Sequence, residues 1–123
     1  MSYHVEHTLV EDDSVLIRSF RGSVVMQDVI NSWKTDIEKG LVHAGLKGIV
    51  TDFTACENNA TINELQDIAE FYKANIDVFE NLKLGVVLDT PNVVVLLLFE
   101  ESHAEMQHKA FSTFEAALEW VKS

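Results

Sequence analysis

From Ser23 onward, strand-type and helix-type apolar patterns alternate along the chain, and no other feature restricts the fold as much. Ser23 can cap a helix whose apolar positions Val25, Val29, Ile30, Trp33, Ile37 and Leu41 recur at helical spacing, with Gly40 at its fraying end. "KGIVTDF" follows as a short strand over 48–53, uniformly apolar as a strand buried on both faces of a parallel sheet would be. The polar loop "TACENNA" leads into "TINE", a capping box of Thr61 with Glu64. It opens a helix with Leu65, Ile68, Ala69, Tyr72 and Ile76 on one side. "KLGVVLD" is another buried-type strand and "MQHKAF" a last one. "STFE" gives a second box, Ser112 with Glu115, ahead of a helix carrying Ala116, Ala117, Trp120 and Val121. Trp33 and Trp120 read as core residues of their helices. Parallel strands joined by crossover helices are the α/β solution to such a pattern. Ahead of it, 3–10 and 15–21 are rich in β-branched and aromatic residues and flank "EDDS", which predicts an antiparallel hairpin.

The segment "DTPNVVVLLLFEESH" is open to two readings. As a strand, 93–99 folds back on "KLGVVLD", and its valines favour that. As a helix, Pro91 sits in the first turn, where its missing N–H costs nothing, with Asp89 or Thr90 as cap. The alternating rhythm favours the helix, which makes the order β-β-α-β-α-β-α-β-α: a mixed five-stranded sheet with an antiparallel N-terminal edge and four helices. A helix apolar on every side can pack one face on the sheet and still needs a cover for the other. Leaving such side chains wet forgoes about 1.5–3 kcal/mol each. Val94, Leu97 and Leu98 are therefore the expected partner or dimer surface. A central strand would remove the anomaly. As a helix the block spans about 10 Å, against roughly 30 Å of hydrocarbon, so no membrane insertion is expected.

A chain of 123 residues, 47% hydrophobic and 24% charged, suits one soluble domain over 1–123. Its formal charge of −11 and nine scattered basic residues argue against nucleic acid and anionic membranes as partners. The N-terminus lacks the basic start and apolar core of a signal peptide, and Cys56 stands alone, so a cytoplasmic location is expected. His103 and His108, five apart, do not match helical metal-ligand spacing and read as surface residues, while His4 and His7 fall on opposite strand faces. The acidic turn Glu11-Asp12-Asp13 lacks the glycine and distal glutamate of a calcium loop. No metal or other cofactor is expected. Cys56 has no nucleophile signature around it.

The element order resembles the STAS fold of sulfate transporters and anti-sigma-factor antagonists, and more specifically the small stand-alone SpoIIAA-like proteins of bacteria. "VTDFT" at the end of the third strand, "LDTP" and "FSTFEAALEWV" carry the resemblance. It implies a non-catalytic regulatory module acting through protein contacts. In the antagonists the third strand leads into an Asp-Ser-Ser-Gly turn whose serine a partner kinase phosphorylates. Here the same place reads "DFTACENNATINE": Asp52 is retained, the Ser-Ser-Gly is not, and the available hydroxyls are Thr54 and Thr61. Thr61 is also the helix cap, and a helix N-terminus attracts negative charge. The same fold occurs in SEC14-type lipid carriers, so an alternative is a protein holding a lipid or small apolar ligand between the 93–99 helix and the sheet. An enzyme using Cys56 or a histidine is the third possibility.

Overall fold

The computed structural model describes residues 3–59, 61–88 and 107–123. Tyr3–Val10 (β1) pairs antiparallel with Val15–Val24 (β2) in unbroken register, from Tyr3 opposite Gly22 to Val10 opposite Val15. The expected "EDDS" turn joins them. Glu11, Asp12 and Asp13 all take left-handed φ angles, 54°, 56° and 63°, and Ser14 donates its N–H and its hydroxyl to the Glu11 carbonyl. Aspartates tolerate that region better than most residues.

The first half of β2 runs parallel to Gly48–Asp52 (β3), which runs parallel to Lys83–Val87 (β5) and then Gln107–Phe111 (β6). The expected five strands lie in the order β1-β2-β3-β5-β6. A sixth, Cys56–Asn58 (β4), comes from the stretch read as a polar loop and pairs with the last three residues of β2. That pairing keeps Ser23 in the sheet, so Ser23 does not cap the first helix. Met26–Glu38 (α1) starts after Val25, whose N–H is taken instead by the Asp28 carboxylate at 3.0 Å. Val25 lies outside the apolar face and is 43% exposed. Gly40 ends the helix as expected, at φ +74° with its N–H on the Ile37 carbonyl.

Leu65–Ala74 (α2) and the single turn Ile76–Phe79 (α3) pack with α1 on one sheet face, against Leu16, Phe20, Ile49, Leu84 and Val86. Alternate residues, Val15, Ile17, Val50 and Val87, face the opposite way and meet Ala117 and Val121 of Phe114–Lys122 (α4). Thr113, not Ser112, caps α4, accepting the Ala116 N–H at 3.2 Å. β6 holds the backbone through Phe111, which delays the helix by a residue. Trp33 is core as expected; Trp120 is half-buried, its ring tilted against Phe111 at 5.8 Å between centroids. The 93–99 segment, with Val94, Leu97 and Leu98, lies outside the described residues, as does His103.

Helix α4 comes so near the sheet that Gly48 has no room for a side chain. A Cβ there would sit 2.4 Å from Val121 Cγ1 and 2.6 Å from the Lys83 carbonyl. At Gly85 the nearest atom, Val121 Cγ2, is 3.2 Å off. Gly48→Ala is therefore expected to cost about 1–3 kcal/mol in urea unfolding, and Gly85→Ala distinctly less. Equal costs would contradict this packing.

Candidate functional site

Where β3 ends, the chain changes its register against β2. Val15–Ser19 of β2 face Gly48–Asp52, and Gly22–Val24 face Cys56–Asn58. Between these ladders two residues of β2, Phe20 and Arg21, are matched by three, Phe53, Thr54 and Ala55. The extra residue bends the chain outward at the carboxyl ends of the parallel strands, as a bulge does. In open α/β sheets, ligands and partners gather at that end.

Short hydrogen bonds shape this bend. The Asp52 Oδ1 atom accepts both the Thr54 N–H at 2.8 Å and the Thr54 hydroxyl at 2.7 Å, an Asx-type turn. Asn59 donates its side-chain amide to Ser23 Oγ at 3.0 Å and to Glu57 Oε1 at 3.1 Å, and its N–H to the Val24 carbonyl at 2.7 Å. At Thr61 the Glu64 carboxylate accepts the Thr61 N–H and the Thr61 hydroxyl, both at 2.9 Å. Only half of the expected box forms: the Glu64 side chain reaches back to the Thr61 N–H, but the Thr61 hydroxyl donates to that carboxylate instead of capping a helix N–H, and the 3-10 turn Ile62–Glu64 stands between Thr61 and α2. Thr54 and Thr61 are both exposed and Asp52 half-buried; Asp52 and Thr54 share one turn, and β4 separates that turn from Thr61. In each case a threonine hydroxyl is spent on a carboxylate.

Cys56, half-buried, donates its thiol to the Phe53 carbonyl at 3.3 Å. Burial, with the Asp52 charge adding to it, pushes the thiol up to about 11. Little thiolate exists near neutral pH, which disfavours the nucleophile reading. His108, read from sequence as a surface residue, is buried: it occupies an inward position of β6, 5.9 Å from the Tyr72 ring. Burial likewise lifts the Tyr72 hydroxyl to about 12. Among the described residues, no three His, Cys, Asp or Glu side chains gather as a metal site would require, and no helix is long and apolar enough to cross a membrane.

Sequence reading missed the most heavily buried charge. Arg18, fully buried in mid-β2, has Nε 2.9 Å from Asp36 Oδ2 of α1. It also donates to the Ser32 hydroxyl and, at 3.3 Å, to Thr51 Oγ1. Its guanidinium lies 3.6 Å from the Trp33 ring centre. Asp36 Oδ1 accepts from His7 Nε2 at 2.9 Å, and His7 stands directly opposite Arg18 across the β1–β2 pair. Burial holds Arg18 down at about 10, against the pull of Asp36. The signal was present: Leu16, Arg18 and Phe20 share one strand face, and Val29, Trp33 and Asp36 share one helix stripe.

No protein-family model matches the chain, and no curated protein matches it by sequence. Solved structures do match by shape. One is an uncharacterised protein of the DUF3478 family with a SpoIIAA-like fold from Shewanella loihica, at TM-score 0.63 and 15% identity, covering 97% of this chain and 93% of that one. An anti-sigma factor antagonist from Mycobacterium paratuberculosis gives 0.62 at 19% identity, covering 99% and 96%. The anti-sigma factor antagonist SpoIIAA, in its unphosphorylated form, gives 0.53 at 12%, covering 98% and 99%.

Proposed function

We propose that this SpoIIAA-like fold, residues 1–123, is a non-catalytic regulatory module of the cytoplasm that acts through protein contacts at the segment 52–61. The observation that carries the reading is the pairing of the exposed Thr54 hydroxyl with the Asp52 carboxylate at the carboxyl end of β3. Two structures of similar shape are anti-sigma factor antagonists, one of them described as unphosphorylated.

A phosphate on Thr54 would add a charge of about −1.5 to −2 beside Asp52 and remove the hydrogen that the hydroxyl donates. Like charges on one short turn drive it open and change the surface a partner meets. Thr61 is placed the same way against Glu64, but it stands ahead of the 3-10 turn Ile62–Glu64, where its bonds to Glu64 fix the approach to α2 and are a sufficient reason for its presence. Thr54 is the better switch.

Photo-cross-linking in cells tests this. A benzophenone side chain at the exposed Ala55 should give a discrete heterologous protein adduct that the same group at the exposed Glu119 of α4 does not. Thr54→Glu should lower that adduct about tenfold, the factor that follows from ~1.4 kcal/mol of contact energy. No adduct at Ala55, or equal adducts at both positions, would end the proposal.

Self-association belongs to the same reading, first through the apolar surface of Val94, Leu97 and Leu98 expected from the sequence. Light scattering should record a dimer that grows with concentration, and native mass spectrometry of protein purified from cells should record the bare chain. One chain carrying a defined lipid mass would favour the SEC14-like alternative instead.

A further inference from the structure

We propose that two copies pair through their β1 strands, antiparallel and centred on Val5, to form one continuous sheet. This deepens the self-association reading, rests on it, and supplies it with a surface inside the described residues. The two edges of the sheet differ. β6 has five residues with an exposed lysine, Lys109, at its centre, and an edge lysine is a common guard against strand addition. β1 has eight residues, holds one register against β2 throughout, and contains no proline, lysine or arginine. Among the described residues it has a strand on one side only.

Charge selects the register. A two-fold axis through the sheet pairs residues of the same face, so the axis can pass through Val5, Glu6, His7 or Thr8 with at least five residue pairs; centring on Thr8 sets Glu6 against Val10 and His7 against Leu9 and makes no charge pair. Centring on Glu6 sets two carboxylates opposite one another, which is repulsive. Centring on His7 brings together two imidazoles that are each already engaged by an Asp36. Centring on Val5 sets His4 against Glu6 of the second copy, twice, so that each imidazole N–H meets a carboxylate that Arg21 Nε approaches at 3.5 Å within its own chain, an exposed pair that leaves the carboxylate other acceptor positions. It also pairs the half-buried Val5 with itself, a favourable β-branched pair. Five residue pairs make a small interface, below the roughly 1,000 Å² of a stable dimer. The association is therefore weak and favoured by salt that screens the −11 charge of each chain.

Disulfide trapping tests the register directly. Val5→Cys in a Cys56→Ser background should give a covalent dimer under mild oxidation, in about tenfold the yield of Thr8→Cys in that background. In this register the two Thr8 positions are six residues out of alignment, about 20 Å apart. Adding Glu6→Lys should lower trapping about tenfold, and adding His4→Glu as well should restore it. Equal trapping at positions 5 and 8, or trapping that ignores the charge exchange, overturns the proposal. Sedimentation of the natural sequence is a second measurement that needs no core substitution. A strict monomer up to about 1 mM overturns both the interface and self-association, whereas a dimer that position 5 does not trap overturns the interface alone.

Discussion

Asp36→Ala is expected to lower the unfolding free energy by about 3–5 kcal/mol, because it strands the Arg18 guanidinium, fully buried, without its counter-charge. The remaining contacts, Ser32, Thr51 and the Trp33 face, are neutral dipoles and a ring quadrupole. They orient the guanidinium but do not neutralise it. The depressed Arg18 value, about 10, has the same origin: removal from water outweighs the attraction of Asp36 even in the intact pair. Removing both charges should be gentler. Arg18→Met with Asp36→Leu restores an apolar filling between β2 and α1 and should cost far less than Asp36→Ala alone, or nothing. Urea titrations of the natural sequence, the single variant and the double variant supply the comparison. A single-substitution cost below about 1 kcal/mol would mean that water reaches Arg18 in the folded state, contrary to its burial.

Much of this architecture was legible because it is written in periodicity. The β1–β2 hairpin, the buried strands β3 and β5 and the apolar stripe Val29-Ile30-Trp33 follow from spacing alone. What escaped depends on pairing between distant segments. Ser23 looks like a cap because serine at the head of an apolar stripe usually is one. Its fate was decided by β4, 33 or more positions away, which drew the end of β2 into the sheet. Ser112 and Thr113 are equivalent to a local pattern, and the length of the β6 ladder chose between them. His108 looked exposed because its neighbours are polar, yet strand alternation turns it inward beside Tyr72. In the candidate site, the identities of Asp52, Thr54 and Thr61 could be read, but not that both hydroxyls would be tied to carboxylates. Arg18 is one of nine basic residues scattered along the chain, and only its strand parity, that of Leu16 and Phe20, marks it as buried.

Phe79→Ala should rival the Asp36 substitution, at about 3–5 kcal/mol, for a different reason. The ring is fully buried, with edge-on contacts to Trp33 and Tyr72 at 5.1 Å each and to Phe71 at 6.2 Å. Asn75 separates α3 from α2 and closes the longer helix by donating its side-chain amide to the Phe71 carbonyl at 2.9 Å. Ile76–Phe79 is thus one isolated turn, too short to hold itself by backbone bonding. Its packing anchors it, and the Leu82 N–H bond to the Phe79 carbonyl carries that anchor toward β5. Alanine would remove the ring, leave a cavity between α1 and α2, and loosen the approach to a central strand. Phe79→Leu refills part of that volume and should recover about half the loss. Near-ultraviolet circular dichroism provides a local readout, since Trp33 and Tyr72 lose the asymmetric neighbour that orders them. A normal aromatic spectrum with a small change in stability would show that α3 is held by something other than its phenylalanine.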